Sequence, residues 1–193
     1  MKIDPKFVIK VAGTLTVIAL ITAALLGLVD GVTRDKIAEI EAEKTRVAMS
    51  AVAPAGSEFT DKLEITEDVV AAAAAQGGKV MELYGVKGGG YVMKISASGS
   101  QGSIVMMVGL DANNAITGIS VVSHSETSGI GTKVVGNELN DAGVPVLDQF
   151  IGLSGSGSLV VKKNIVPITT ATVSTKGITA GANAALAAAE ALG

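Results

Sequence analysis

The sequence predicts an α+β protein, in which a single N-terminal transmembrane helix is followed by a domain with an antiparallel sheet and flanking helices. Three observations lead to this prediction. Residues 11–29 contain no charge, residues 79–124 hold four short β-type runs separated by turns, and an alanine-rich run occupies residues 178–192. The length of 193 residues suits one globular domain plus an appendage, or two small domains. We predict an anchor at 1–30, an amphipathic stalk helix and linker at 31–56, and a domain at 57–193.

The composition excludes several classes of site. The chain has no cysteine, so disulfides, zinc–cysteine centres and cysteine-ligated iron–sulfur clusters are excluded. The formal net charge is −3 and the sequence has no basic cluster, which argues against a nucleic-acid partner. The one histidine, His124, has no neighbouring set of metal ligands, and no G-x-S-x-G elbow stands at a strand-to-helix turn. We therefore predict no metal site and no catalytic side chain.

Residues 11–29 are predicted to form the anchor. Nineteen residues span roughly 28 Å as a helix at about 1.5 Å per residue, which is close to the hydrocarbon thickness of a bilayer. Lys2, Lys6 and Lys10 precede the run, whereas the charges after it have no positive excess. This bias places the N-terminus in the cytoplasm and the rest of the chain outside it. A cleaved signal peptide is the alternative, although the apolar run is long and lacks a small-residue cleavage site.

The next segments are predicted to be helical. Ile37, Ile40, Lys44, Val47 and Ala51 recur at three- and four-residue steps, which predicts an amphipathic helix over residues 33–52. Residues 54–57 contain Pro, Gly and Ser and indicate a turn. The alanine run at 71–75 permits a short helix within residues 64–76.

Residues 79–124 read as an antiparallel meander. The β-type runs are 80–84, 91–95, 104–108 and 116–122, and turn-forming residues separate them. The triplet 88–90 is all glycine, but without a following Lys-Ser/Thr and helix it indicates a hairpin turn rather than a phosphate loop.

A polar loop follows the meander at residues 124–133. It contains Glu126, Thr127, Gly129 and Gly131, and its glycines allow the backbone to approach a ligand. A solvated connection is the alternative interpretation. Beyond this loop we predict a helical turn at 146–151 and short strands at 159–161 and 165–166.

Hydroxyl side chains are concentrated at residues 168–175, directly before the final helix. The start of a helix carries unpaired N–H groups and the positive end of the helix dipole, so this stretch suits a phosphate. The alternative is that these serine and threonine residues serve only as N-caps.

Together these motifs, in this order, resemble the FMN-binding domain family. The resemblance covers nearly the whole chain and includes the anchor and the meander. The matching residues are His124, Glu126, Thr127, Gly129 and Gly131, then the run 148–152, then Thr169, Ala171, Thr172 and Ser174. Within the family the chain is similar to the subunit designated G in Rnf complexes, which are ion-translocating ferredoxin:NAD oxidoreductases. The subunit designated C in the sodium-translocating NADH:quinone reductase is a relative and remains an alternative.

The resemblance implies an FMN cofactor joined through its phosphate to the side chain of Thr172, as a phosphoester made by a separate flavin transferase. It also implies that Thr169, Thr170, Ala171 and Ser174 surround the attachment point, and that Glu126, Thr127, Gly129 and Gly131 border the flavin ring. The expected partners are the other membrane subunits of an Rnf complex and membrane lipid. The expected role is electron relay, without turnover of an independent substrate.

Two positions depart from the pattern of the family. Thr170 stands where the family has Gly, and Val166 stands where the transferase usually meets an Asp. These departures concern flavin attachment rather than the fold. They favour one competing function, an anchored structural module that has lost its flavin. A free-standing extracytoplasmic flavin reductase is a third hypothesis, independent of these departures.

Overall fold

A computed structural model describes residues 5–54 and 56–193 of the chain. Lys2 of the predicted N-terminal flank and Ala55 of the predicted turn lie outside the described residues. The helices are α1 (Pro5–Val52), α2 (Glu67–Ala75), α3 (Gly131–Val135) and α4 (Thr172–Leu192). The strands are β1 (Phe59–Lys62), β2 (Gly78–Val86), β3 (Tyr91–Ser98), β4 (Ser103–Leu110) and β5 (Ile116–His124). The chain divides into two compact units, the first ending at Glu43 and the second comprising Lys44–Gly193.

The first unit consists of most of α1. This helix is long and apolar enough to cross a membrane, with a mean hydropathy of 2.3 over an 18-residue window of which nothing is buried. The hydroxyls of Thr14, Thr16 and Thr22 donate to the carbonyls four residues earlier, which satisfies these polar groups within the helix. The predicted N-terminal apolar helix is confirmed. The helix continues without a break through Asp30, where the sequence had suggested the end of the anchor.

The second unit is built on a five-stranded meander. The strands lie in the order β1-β2-β3-β4-β5, and every neighbouring pair is antiparallel. The predicted meander is confirmed, as is a helix between residues 64 and 76, which is α2. Strand β1 was not predicted, because its sequence, Phe-Thr-Asp-Lys, has a single apolar residue and no alternation.

Helices α2 and α4 pack against one face of the sheet and close the main core. Helix α4 begins at Thr172, six residues before the alanine-rich run. The hydroxyl groups of Thr175 and Thr179 are buried in this helix but are satisfied by hydrogen bonds. Thr175 donates to the Ala171 carbonyl over 3.1 Å, and Thr179 donates to the Thr175 carbonyl over 2.8 Å. The start of α4 is thereby drawn into the core.

The last turns of α1, from Lys44 onward, cover the opposite face of the sheet. Ala48 and Val52 are buried there against Val92 and Met107. The predicted helix over residues 33–52 is confirmed as part of α1. Of the predicted stripe, Lys44, Val47 and Ala51 lie in the second unit and are exposed, so the buried side of these turns is the one that carries Ala48 and Val52. Contact with the sheet, rather than the overall pattern of apolar residues, selects the buried side of the helix.

A pair of glycines admits the end of α1 to this face. Gly109 and Gly118 are directly opposite each other on β4 and β5, and a Cβ on Gly109 would overlap the Val52 carbonyl oxygen. The Thr117 hydroxyl donates to that same oxygen over 2.5 Å. The helix end is thus held against the backbone of the sheet.

Polar side chains also join the helix to the sheet. The Lys94 ammonium lies 3.2 Å from the Thr45 hydroxyl and 3.5 Å from Glu82 Oε1, and the Tyr84 hydroxyl donates to Glu82 over 2.8 Å. Burial, this hydrogen bond and the charge of Glu82 raise the pKa of Tyr84 to about 12. Tyr84 therefore remains a neutral donor at physiological pH.

The connection between α3 and α4 is mostly irregular. The predicted helical turn at 146–151 is present as one turn of 3-10 helix at Asp148–Phe150. The strands predicted at 159–161 and 165–166 were wrong, because Val161 and Ile165 form only an isolated bridge. Lys162, between them, adopts a φ of 70°, so the chain turns before a strand can form.

Candidate functional site

A cavity of about 220 Å³ lies between the start of α4 and the loop that follows β5. Two motifs that are well separated in the sequence form most of its wall. The lining residues are Ser100, Glu126, Thr127, Ile130, Gly131, Thr169, Thr170, Ala171, Thr172, Val173 and Ser174. All of the site residues predicted from the sequence line this cavity, except Gly129. Ser100, Ile130 and Val173 were not predicted.

The start of α4 has no side-chain cap. Ala171 occupies the N-cap position and Thr172 is the first helical residue, so the interpretation of these hydroxyls as simple N-caps was wrong. Thr172 is half-buried, and its hydroxyl donates to the Thr169 carbonyl over 3.2 Å. The N–H groups of a first turn have no partner within their helix. A 3-10 turn at Thr169–Ala171 leads directly into α4 and pairs the first of these N–H groups. The wall of the cavity offers an anion the remaining N–H groups of this turn and the positive end of a helix dipole.

Glu126 is buried and its carboxylate connects three segments of the chain. Its Oε1 atom accepts hydrogen bonds from the backbone N–H groups of Ser100, over 2.7 Å, and Gln101, over 3.3 Å, in the turn between β3 and β4. Its Oε2 atom accepts a hydrogen bond from the Ser174 hydroxyl in α4. The loop after β5 is thus fastened both to the sheet and to the helix that carries Thr172.

The two glycines of this loop have different tasks. Gly129 adopts a φ of 75°, a conformation that a side chain would strain, and its N–H donates to the Thr132 hydroxyl over 2.8 Å. Gly131 lies against the carboxylate of Glu126, and a Cβ there would overlap it. The loop needs one glycine for its turn and the other for the space beside Glu126. Polarity alone suggested a solvated connection, but the structure shows an organised loop that continues into α3.

Thr170, which departs from the family pattern, is exposed and adopts an ordinary backbone conformation. Within residues 5–54 and 56–193, the non-glycine residues with positive φ are Asn114, Asn137 and Lys162. The position of Thr170 therefore does not require the conformational freedom of glycine, and a threonine side chain fits its backbone conformation without strain.

The cavity fits part of an FMN. Its volume is below the roughly 300–1,000 Å³ that is typical of sites for whole small ligands, so it suits the phosphate and the adjoining chain better than the complete cofactor. The polar groups lie at the start of α4. Ile130 and Val173 are 46% and 55% exposed and add apolar surface to the lining, which suits a flat aromatic ring. The residues present therefore fit the group that the sequence implied.

Comparison with known proteins points in the same direction. Residues 99–187 match the model of a family described as the FMN-binding domain, and residues 1–52 match one described as the RnfG N-terminal region. The subunit designated G of the Na(+)-translocating ferredoxin:NAD(+) oxidoreductase complex of Acetobacterium woodii is 32% identical over 95% of this chain and 92% of its own length. Its counterpart in the ion-translocating oxidoreductase complex of Methanosarcina acetivorans is 31% identical over 79% of this chain and 82% of its own length. The corresponding protein of Cereibacter sphaeroides is 28% identical over 74% of each chain.

Proposed function

We propose a function from one premise: this chain belongs to the RnfG family, whose members are subunits of ion-translocating oxidoreductase complexes. The chain is an electron-transfer subunit of such a complex, and residues 99–187 form an FMN-binding domain. Helix α1 anchors it to the membrane. The other subunits of an Rnf complex are its partners, and the chain itself turns over no organic substrate.

We further propose that FMN is bound covalently, as a phosphoester of the Thr172 hydroxyl. The observation that supports this most is the meeting of the two separate motifs in one cavity, with that hydroxyl in its wall at an uncapped helix start. The backbone donors of α4 would hold the remaining negative charge of the ester. When bound, FMN supplies the redox chemistry, which the side chains of the protein do not.

The residues around Thr172 position and shield the cofactor. Thr169, Thr170, Ala171 and Ser174 surround the attachment point, and Glu126, Thr127, Gly129 and Gly131 shape the loop on the other side of the cavity. A covalent link prevents loss of FMN from a domain outside the cytoplasm. That location follows from the lysine bias before the anchor, which keeps the N-terminus in the cytoplasm. Membrane lipid around α1 and a flavin transferase for maturation complete the set of partners.

The proposal is tested by substituting the acceptor and its neighbour. Thr172→Val removes the hydroxyl and keeps the shape of the side chain, and Thr170→Val is the matched control at an exposed hydroxyl in the same cavity. The full-length variants are produced together with a competent flavin transferase, then denatured and analysed by intact mass and by flavin fluorescence in a gel. We expect an added FMN mass on the wild type and on Thr170→Val, and none on Thr172→Val.

Two other outcomes have definite meanings. Flavin on Thr172→Val but not on Thr170→Val would move the acceptor to Thr170. A wild-type chain without flavin, in cells where the transferase modifies another substrate, would favour an anchored structural module.

A further inference from the structure

Side chains from outside the motif hold the segment that precedes Thr172. We call residues 166–172 the acceptor segment. The amide of Gln149 brackets Val166, accepting from its N–H over 2.8 Å and donating to its carbonyl over 3.0 Å. Asp141 holds the next residues of the segment. Its N–H donates to the Pro167 carbonyl over 3.2 Å, and its carboxylate accepts hydrogen bonds from the Thr169 N–H, over 3.1 Å, and from the Thr169 hydroxyl.

These contacts connect Asp141 to the proposed acceptor through a single residue. Thr169 gives both its N–H and its hydroxyl to Asp141, and its carbonyl accepts the hydrogen bond from Thr172 Oγ1. The carboxylate thereby fixes the turn at Thr169–Ala171, which orients the hydroxyl of Thr172.

The loop that carries Asp141 is itself well ordered by hydrogen bonds. The side chain of Asn140 is buried, and its oxygen accepts from the N–H groups of Ala142, over 2.9 Å, and Val144, over 3.1 Å. Asp141 follows this fixed point directly and is exposed. A carboxylate has about four acceptor positions, so two bonds from Thr169 leave others open to a donor or cation of a partner protein.

We propose that Asp141 supplies, from another loop, the carboxylate that this chain lacks at position 166, and so makes the acceptor segment a substrate for flavin transfer. The inference rests on the proposed function. Asp141 is a positioning residue and a recognition residue, and it does not contact the reacting atoms. Gln149 holds the backbone of Val166 through two hydrogen bonds, and the carboxylate of Asp141 reaches the segment from a neighbouring loop at Thr169.

The transfer itself needs a flavin dinucleotide, because a phosphate monoester is not activated for attack by a hydroxyl. A bond forms between Thr172 Oγ1 and the flavin-side phosphorus, and the pyrophosphate P–O bond breaks. The nucleoside monophosphate leaves, the hydroxyl proton passes to it or to water, and nothing is oxidised or reduced. The transferase provides the catalytic groups, whereas this chain provides an acceptor held in one orientation.

The experiment measures the rate of flavin attachment to full-length chains by a flavin transferase supplied with flavin adenine dinucleotide. The variants are Asp141→Asn, the double variant Asp141→Asn with Val166→Asp, and the control Glu58→Gln, which removes an exposed carboxylate paired with Lys87. We expect Asp141→Asn to lose about tenfold or more in rate, since charge-assisted hydrogen bonds are lost. The double variant should recover most of that loss, and Glu58→Gln should retain the wild-type rate.

Each result decides a different question. Asp141→Asn at the wild-type rate overturns the inference while leaving the proposed function intact. A slow Asp141→Asn variant that Val166→Asp does not rescue, with unfolding temperatures equal in both, overturns the idea that the two positions are interchangeable. A wild-type chain that takes up no flavin overturns the proposed function and this inference with it. Rescue by a carboxylate at 166 is the outcome that a merely structural role for Asp141 would not produce.

Discussion

At the scale of single residues, Glu126 is the most constrained side chain of the candidate site. Its two oxygens accept hydrogen bonds from the turn between β3 and β4 and from Ser174 of α4. The sequence suggested that Glu126 borders a flavin ring, and that role stays a prediction. The structure adds a second role, which is to join the loop to the helix that carries Thr172.

This role predicts the effect of Glu126→Gln on stability. The amide keeps one acceptor oxygen but loses the charge, so we expect the free energy of unfolding to fall by about 1–3 kcal/mol. Chemical denaturation of the detergent-solubilised chain, followed by circular dichroism, measures the change. Glu58→Gln is the control, since Glu58 forms an exposed ion pair with Lys87 and such pairs contribute about 0–1 kcal/mol. Equal losses in both variants would contradict the assignment.

Sequence could identify the motif residues of the site but not their outside supports. Glu126, Gly131 and Thr172 belong to recognisable patterns, and the structure brings them to one cavity. Asp141 lies 28 residues before its partner Thr169, in a loop without periodicity, so no spacing rule connects the two. Ser100 contributes a backbone N–H, which any residue type except proline would supply.

At the scale of elements, the end of α1 fits closely against strands β4 and β5 in the second unit. Gly109 and Gly118 leave the sheet backbone open at one place, and Val52 with its carbonyl fills it. The Thr117 hydroxyl satisfies that carbonyl at the helix end, where intrahelical partners are missing.

We therefore expect Gly109→Ala to destabilise the second unit. The added methyl group would overlap the Val52 carbonyl oxygen, a backbone atom that moves only with the helix end, and overpacking of this kind costs about 1–3 kcal/mol. Thermal unfolding of the full chain in detergent provides the measurement. Gly31→Ala makes the same substitution in α1 where no atom lies within 4 Å, and it should not lower stability. An unchanged transition for Gly109→Ala would show that the helix end is loosely held.

Elements with a regular apolar pattern or a long alanine-rich run were predictable, whereas strand β1 and the irregular segment around residues 159–166 were not. Strands β2 to β5 have apolar runs bounded by turn residues, and α4 has a long alanine-rich run. Strand β1 exists because it pairs with β2, which its own sequence does not indicate. The apolar runs at 159–161 and 165–166 resemble strands locally, but within the described residues they form only a single bridge with each other, and tertiary context decides such cases.

At the scale of the whole molecule, the compact unit that contains the site begins at Lys44, whereas the sequence suggested a domain from residue 57. Residues 44–52 cover Val92 and Met107 on the face of the sheet opposite α4. These residues therefore form the end of α1 and, at the same time, part of the core of the second unit.

A soluble fragment comprising residues 44–193 is expected to be more stable than one comprising 57–193. Full burial of a side chain the size of Val52 is worth about 1.5–3 kcal/mol, and each kcal/mol shifts the unfolding temperature by roughly 2–4 °C in a domain of this size. Differential scanning calorimetry and light scattering compare the two, and the shorter fragment should also self-associate through its uncovered apolar face. Equal unfolding temperatures for both fragments would mean that residues 44–52 are dispensable.

The position of Glu126 has a practical consequence for anyone who wishes to shift the midpoint potential of the flavin. In the site that we propose, where Glu126 borders the flavin ring, substituting this carboxylate would alter the potential and loosen the architecture at once, so the two effects could not be separated. Thr127 and Ile130 line the same cavity with exposed side chains, so they are the adjustable positions. Electrochemical tuning should start with these two, leaving the internal carboxylate untouched.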